Sequence, residues 1–423
     1  MTEQRPAGGG RWTIEDAERW LLGLELFGMT FGLERIRLLM TQLGSPQRSF
    51  RSIHVVGSNG KSSTARMIAA ILERHGLRTG EYLSPHLVCF TERVRIGGHD
   101  SRGEDFACAA RLAHDAAAVV DRELSGGERV TQFEALTATG YVALQRAGVE
   151  LAVIEAGLGG RYDATNVIDS EVQVLTSVGL EHTRWLGDTI TDIAIEKTDV
   201  VRPGGTLVVA PGLAPQALAV AQRVSAERGA RLVVAPTIAG LVTAALGPFQ
   251  RANFALACAA ATALLGELDE DAVADAAAQT TVPGRLEVVG TDPVTIHDGA
   301  HNPDGIEALA AALRELLDGR RLVCCLSVLD DKDAEAMLRA LLPLCDEVVL
   351  TTSTHPRAVP ADELLALCEL VGGPRASVVD GPHAALARAR ELAGAGGVAL
   401  ATGSLYLIAD LRRPAGAGGG SIL

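Results

Sequence analysis

The chain has 423 residues, 48% of them hydrophobic and 21% charged, which supplies packed cores for two or more domains of roughly 100–200 residues each. Its formal net charge of −14 argues against a nucleic-acid partner, which calls for a basic face, although a local site can hold an anion against the global sign. The seven cysteines form no CxxC pair, "MTEQRPAGGG" lacks an apolar signal-peptide core, and no uncharged apolar run reaches the ~18 residues of a membrane span. The expectation is reduced thiols in a cytoplasmic protein.

Short Val/Ile/Leu runs alternate along the chain with longer segments of helical periodicity. The runs are "SIHVV", "LAVIEAG", "VQVLTSVG" and "TLVVA", then "VTIHD", "RLVCCL", "EVVLTT", "SVVD" and "GVALATG". They do not alternate with polar residues, as expected of strands covered on both faces. Between them the spacing predicts helices over 63–75, 105–122, 133–146, 253–265, 304–317 and 361–370. This order predicts an α/β chain with a mainly parallel sheet. Gly and Pro surround a short strand in "PGRLEVVGTDP", after which the series restarts, so a boundary is expected there, dividing 1–288 from 289–423.

"HVVGSNGKSST" (54–64) places a Gly-rich turn between a strand and a helix. Gly57 and Gly60 can take positive φ, so that successive backbone N–H groups form an anion nest, and the following helix adds its positive end. Lys61 supplies a charge for β/γ-phosphates and a Ser hydroxyl suits Mg²⁺. The loop is shorter than GxxxxGK[ST], since Val55 stands at the first Gly.

Further motifs make the pattern specific. "YLSPHLVCFTERVRI" (82–96), "VIEAGLGGRYDATNV" (153–167) and "GLEHTRWLGDTITDIAIEK" (179–197) follow "GSNGKSS", and then come "RPGG", "PGRLE", "DGAHNPDG", "VLDDKD" and "TGSLYLIADLR". In this order, from about Gly32 to Arg412, they resemble the folylpolyglutamate synthase and dihydrofolate synthase branch of the Mur ligase family. The resemblance implies a Mur-ligase-like fold, with a P-loop ATP-binding parallel-sheet domain followed by a smaller Rossmann-like α/β domain. It implies ATP-dependent ligation of L-glutamate to a folate, and of glutamate to dihydropteroate in bifunctional members, through an acyl phosphate. That chemistry rests on positioning and charge neutralisation.

The resemblance also implies roles for residues. Asn59, Gly60, Lys61, Ser62 and Ser63 match the ATP phosphate cradle, with Asn253, Arg285, Asp298 and His301 as further nucleotide contacts. Ser84 and Glu155 match ligands of a first Mg²⁺, and His182 and Lys197 belong with a second, Lys197 as a carbamate whose oxygens would suit the ion. Lys61, Glu155, His182 and Lys197 are thus the catalytic candidates. "TQFE" supplies Thr131, Gln132, Phe133 and Glu134, and "YDA" supplies Tyr162, Asp163 and Ala164, as the pterin side, where Phe133 and Tyr162 can flank a flat ring. Read without the resemblance, Ser84 is a turn residue, His182 a structural imidazole, Lys197 a solvated helix lysine, Asn253 an ordinary helix residue and Arg285 a linker charge. Glu155 closes an apolar strand, where a carboxylate is costly unless paired or metal-bound. Asp298 and His301 follow a strand, at the end where α/β sites lie.

Three departures stand out: Ser58 and Ser62 in the loop, Gln132 at an aromatic position, and Thr30 where bifunctional members carry an Asp of the dihydropteroate pocket. The last bears on the dihydrofolate synthase step. Two other readings compete. One is a Mur-type ligase of cell-wall nucleotide precursors, disfavoured because only about fifty residues precede the loop. The other is a catalytically silent nucleotide-gated regulator, disfavoured by Lys61, Glu155, His182 and Lys197 together. No feature calls for an obligate partner, so a monomer binding ATP, glutamate, a folate or dihydropteroate and two Mg²⁺ is expected, with no nucleic acid or membrane.

Overall fold

The computed structural model describes residues 11–25, 32–125, 127–238 and 240–415; Thr30 lies outside them. The first sheet contains β1 (Arg51–Val56), β2 (Thr79–Tyr82), β3 (Val94–Ile96), β4 (His99–Asp100), β5 (Leu151–Glu155), β6 (Val172–Leu175), β7 (Thr206–Val209) and β8 (Arg231–Val234). Their spatial order is β4-β3-β2-β5-β1-β6-β7-β8, with parallel pairing throughout except for the antiparallel β2–β3 and β3–β4 pairs at one edge. The second sheet contains β9 (Glu287–Thr291), β10 (Val294–His297), β11 (Leu322–Leu326), β12 (Glu347–Leu350), β13 (Arg375–Val378) and β14 (Val398–Thr402), in the order β13-β12-β11-β14-β10-β9. It is parallel apart from β9. Because β9 already belongs to the second sheet, the boundary expected at 288/289 falls inside this strand.

Burial on both faces explains the missing alternation. In β5, Leu151 and Val153 face one core, which they share with the helices Lys61–Arg74 and Pro248–Leu265. Ala152 and Ile154 face another, shared with the helices Gly103–Glu123 and Gln132–Arg146. Both faces of the strand are therefore apolar. The six expected helices form within a few residues of their predicted bounds, the largest shift being the start at Pro248 rather than 253. The strand β2 leaves no such signal. Its four residues, Thr-Gly-Glu-Tyr, are all buried, and Glu81 is tolerated there because Arg95 Nε donates to it at 3.2 Å. No helix among the described residues is long and apolar enough to cross a membrane.

The order of the first sheet makes the carboxyl ends of β5, β1 and β6 neighbours. The chain leaves β1 toward β2 on one side and later returns to β6 on the other, so a crevice opens at these ends, where ligands bind in sheets of this type. The second sheet faces that crevice.

Packing behind the crevice is tight. Gly140, in the middle of the helix Gln132–Arg146, lies against the Tyr82 ring, where an added Cβ would stand 2.5 Å from Cδ2. Gly140→Ala is expected to lower stability by ~1–3 kcal/mol through overpacking, measured by thermal or urea unfolding; unchanged stability would show that the ring yields freely.

Candidate active site

The phosphate loop leaves β1 with Gly57 at φ 151° and Gly60 at φ 87°. A Cβ at Gly57 would run into the Thr176 side chain, and one at Gly60 would come within 2.7 Å of Asn253 Oδ1. The loop is therefore wedged between the end of β6 and the helix Pro248–Leu265. The Ser58 N–H donates to the Ser177 carbonyl (3.0 Å), the Asn59 N–H to Ser177 Oγ (2.8 Å) and Thr176 Oγ1 to the Asn59 carbonyl (2.6 Å). Lys61 Nζ lies over the loop, donating to the carbonyls of Gly57 (2.9 Å) and Ser58 (3.1 Å). The helix that follows has no side-chain N-cap, which leaves its first N–H groups for an anion. Ser62 and buried Ser63 sit in this first turn.

Glu155, 1% exposed, ends the neighbouring strand β5. Ser62 Oγ donates to Oε1 (2.8 Å) and the Ser84 N–H to Oε2 (2.9 Å). Burial raises the pKa of this carboxyl, and the Lys61 ammonium is the largest influence opposing the rise. Asn59, Lys61, Ser62, Ser84 and Glu155 are thus brought together at one place.

Beyond β6, Lys197 is 1% exposed and donates from Nζ to Glu181 Oε1 at 2.9 Å. Burial lowers the Lys197 pKa, with Glu181 opposing. For Glu181, burial acts upward, but Lys197 and Lys61 prevail and hold the carboxyl at about 2. His182, next in the chain, takes a left-handed conformation (φ 47°) and is exposed at the cleft wall. Among the described residues no three His, Cys, Asp or Glu side chains converge as a ready ligand set.

The second sheet supplies the opposite wall. Asp298 follows β10 and is 2% exposed; its Oδ2 accepts from the Leu286 N–H (2.9 Å) and its Oδ1 from the Ala300 N–H (2.8 Å). Burial raises its pKa against the pull of Arg285. This carboxylate ties the interdomain linker to the loop that carries His301. The His301 Nδ1 donates to the Gly299 carbonyl (2.8 Å), leaving Nε2 as an acceptor, and burial holds the imidazole down at about 4. Arg285 Nη1 donates to the Gly284 carbonyl at 3.1 Å, and Asn253 Nδ2 donates to Gln250 Oε1 at 3.0 Å. Asn253, Arg285, Asp298, Ala300 and His301 line one cleft of about 1250 Å³ with the phosphate loop, Glu181 and His182, whereas Lys197 lies behind its wall and reaches it through Glu181.

The same cleft extends to 131–134 and 162–164. Thr131 caps the helix Gln132–Arg146 in a capping box with Glu134, whose carboxylate also receives Arg35 Nε at 3.2 Å on both oxygens. Gln132 Nε2 donates to the Leu21 carbonyl (2.9 Å), so its amide ties this helix to the first helix, Ile14–Leu22. The Phe133 ring covers Gly157, where a Cβ would stand 2.5 Å from Cζ. Tyr162 is 46% exposed, with the Arg161 guanidinium over its ring at 5.9 Å. Asp163 accepts from the Leu158 N–H (2.7 Å) and the Thr165 N–H (3.0 Å) beside buried Ala164, bracing the Gly157–Gly160 turn. Phe133 and Tyr162 thus offer rings to the cleft, while Gln132, Glu134 and Asp163 hold the backbone that carries them.

Comparison with known proteins agrees with this geometry. Residues 284–405 match the model of the Mur ligase, glutamate ligase domain. The chain is 37% identical over 383 residues to the dihydrofolate synthase/folylpolyglutamate synthase of Mycobacterium tuberculosis, covering 81% of this chain and 79% of that one. The chain belongs to the folylpolyglutamate synthase/dihydrofolate synthase family. Two solved family members superpose closely: Escherichia coli FolC in complex with DHPP and ADP (TM-score 0.84, 29% identity, 94% and 96% of the two chains), and the bifunctional enzyme of Yersinia pestis complexed with AMPPNP and Mn ion (TM-score 0.84, 29% identity, 96% and 98%).

The folylpolyglutamate synthase family implies a divalent cation, and the donors test whether one fits. Glu155 is a buried carboxylate whose two oxygens, among the described residues, meet one hydroxyl and one N–H; with the Ser62 hydroxyl, and with Ser84 lining the same cleft, it offers hard oxygen that suits Mg²⁺. On the other side Lys197, as an amine, offers no oxygen; Glu181 does. Glu181 and Asn302 were not singled out in the sequence. Asn302 was signalled by the Pro that follows it, the mark of an N-cap before a helix, whereas the pairing of Glu181 with Lys197 spans 16 residues and arises only from the tertiary fold. Replacing Lys61 by Ala is expected to cut kcat by at least ~10³-fold, on the scale of losing a group that stabilises transition-state charge, with an unchanged circular dichroism spectrum. A kcat within a few-fold of the native value would remove Lys61 from the site.

Proposed function

We propose that this chain joins L-glutamate to the carboxylate of a reduced folate, with cleavage of ATP to ADP and phosphate. The observation that carries the reading is one cleft in which the phosphate loop and Glu155 face Asp298 and His301 across the domains, with the Phe133 and Tyr162 rings at the far end. A carboxylate and an amine do not condense in water without activation. The folate carboxylate would attack the γ-phosphorus, ADP would leave, and the glutamate amine would then add to the acyl carbon and expel phosphate.

Each residue has a task in that sequence. The loop N–H groups and Lys61 hold the β- and γ-phosphates. Ser62, Ser84 and Glu155 would hold Mg²⁺, which would supply positive charge against the transferring group. Asn253, Arg285, Asp298 and His301 serve the nucleotide, Arg285 and His301 by direct contact and Asp298 by fixing the backbone beside it. Phe133 and Tyr162 flank the pteridine ring. For Lys197 and His182 we propose a second Mg²⁺, with the buried Lys197 amine carbamylated so that oxygens replace a cation. The enzyme would work as a cytoplasmic monomer divided near 288.

Two measurements check this. Radiolabelled glutamate should be incorporated with tetrahydrofolate as acceptor and only with ATP present, and a parallel reaction with dihydropteroate decides the second activity. Absence of incorporation with both acceptors contradicts the reading. ¹³C-bicarbonate NMR in the presence of Mg²⁺ should show a carbamate signal that is lost in Lys197→Arg; its absence in the native protein returns Lys197 to a plain ion pair with Glu181.

A further inference from the structure

The helix Pro303–Leu317 of the second domain points its first turn at the phosphate loop of the first. Its N-cap is Asn302, whose Oδ1 accepts from the Gly305 N–H at 2.8 Å. That bond fixes the orientation of the amide and leaves Nδ2 to donate to Asn59 Oδ1 at 3.1 Å. Asn59 Nδ2 returns a longer bond to Asn302 Oδ1, at 3.3 Å. The Asn59 backbone is itself pinned by Thr176 and Ser177, so the amide pair joins the end of β6 to the second domain. Two residues on, in the same first turn, Asp304 packs against Gly179, where a Cβ would collide with its carboxylate. The helix start is therefore seated between the loop and the end of β6. Among the described residues, other polar links between the domains lie away from the loop: Arg251 Nη2, half-buried, to exposed Glu315 Oε2 at 3.1 Å, and Arg413 Nη2 to the Leu87 carbonyl at 3.2 Å.

We propose that Asn302 is a positioning residue that docks the second domain on the phosphate loop and thereby keeps the activated acyl group for the amine rather than for water. The inference rests on the ligase reading above. An acyl phosphate has two fates. The glutamate amine adds to the acyl carbon, the C–O bond to phosphate breaks, and the amide and phosphate result. If water adds instead, the same bond breaks, the folate carboxylate is regenerated, protons pass to solvent, and ATP has been hydrolysed with no product. Asp298 and His301 lie on the short loop that ends at Asn302, so the seating of that loop decides between the two.

The test separates the two bonds of Asn302. Ser and Asn cap helices about equally well, but the Ser hydroxyl is too short to reach Asn59, so Asn302→Ser keeps the cap and removes the bridge; Asn302→Thr, a second short cap, guards against a folding defect in either variant. Phosphate release and radiolabelled glutamate incorporation are measured in the same reaction with ATP and tetrahydrofolate. The native enzyme should release about one phosphate per glutamate. In the variants this ratio should rise ~3- to 10-fold, the scale of losing one or two net hydrogen bonds, with a melting temperature close to native. A ratio that stays at the native value, whether or not both rates fall together, overturns the role of Asn302. Failure of the native enzyme to incorporate glutamate would instead sink the ligase reading.

Discussion

A carboxylate buried at the carboxyl end of a central strand is the constraint around which the first domain is organised. Removing an ion of this size from water costs several kcal/mol after relaxation, and Glu155 is met by a hydroxyl from Ser62, the N–H of Ser84 and, at longer range, the ammonium of Lys61. Each partner comes from a different segment. Ser62 and Lys61 depend on the turn after β1, and Ser84 on the chain leaving β2. Only a sheet that places β1 and β2 on either side of β5 brings these segments to one carboxylate. A polar group that costs stability in isolation becomes useful beside a polyphosphate and its cation, because the low-dielectric surroundings strengthen every charge interaction made there.

The second domain answers this site with a buried carboxylate of its own. Asp298 accepts from Leu286 on the linker and from Ala300 on the loop after β10, so the chain crossing between domains and the loop facing the cleft share one anchor. Leu286 holds a left-handed backbone (φ 47°) at this crossing, a conformation that costs free energy in a non-glycine residue and persists where its surroundings over-determine it. The linker is thus a defined joint rather than a slack tether, and it sets where Arg285 and His301 stand relative to the phosphate loop.

Much of this was legible in the sequence, for physical reasons. Two glycines before a Lys-Ser helix start can be read directly, since few other structures need positive φ at that spacing. Glu155 is conspicuous because an acid closes an otherwise apolar strand. The pterin side was harder. Thr131 and Glu134 read as binding residues by resemblance, yet Thr-x-x-Glu is also a capping box, and the structure gives Glu134 both that bond and the Arg35 ion pair. Gln132 departs from the family's aromatic and turns to the Leu21 carbonyl, a partner 111 residues away that no local pattern announces. Glu181 and Asn302 share that difficulty: their partners Lys197 and Asn59 are set by how strands and domains assemble, and one chain read alone carries no trace of such pairs.

The central claim is that the turn after β1 and the buried Glu155 together hold a triphosphate and its cation. A crystal structure with a non-hydrolysable ATP analogue and Mg²⁺ tests it most directly. The account predicts the β- and γ-phosphates against the N–H groups of residues 58–62, Lys61 Nζ transferred from the Gly57 and Ser58 carbonyls to phosphate oxygen, and Glu155 on the cation. A nucleotide bound elsewhere, or Lys61 still on those carbonyls with the turn free of phosphate, would contradict it.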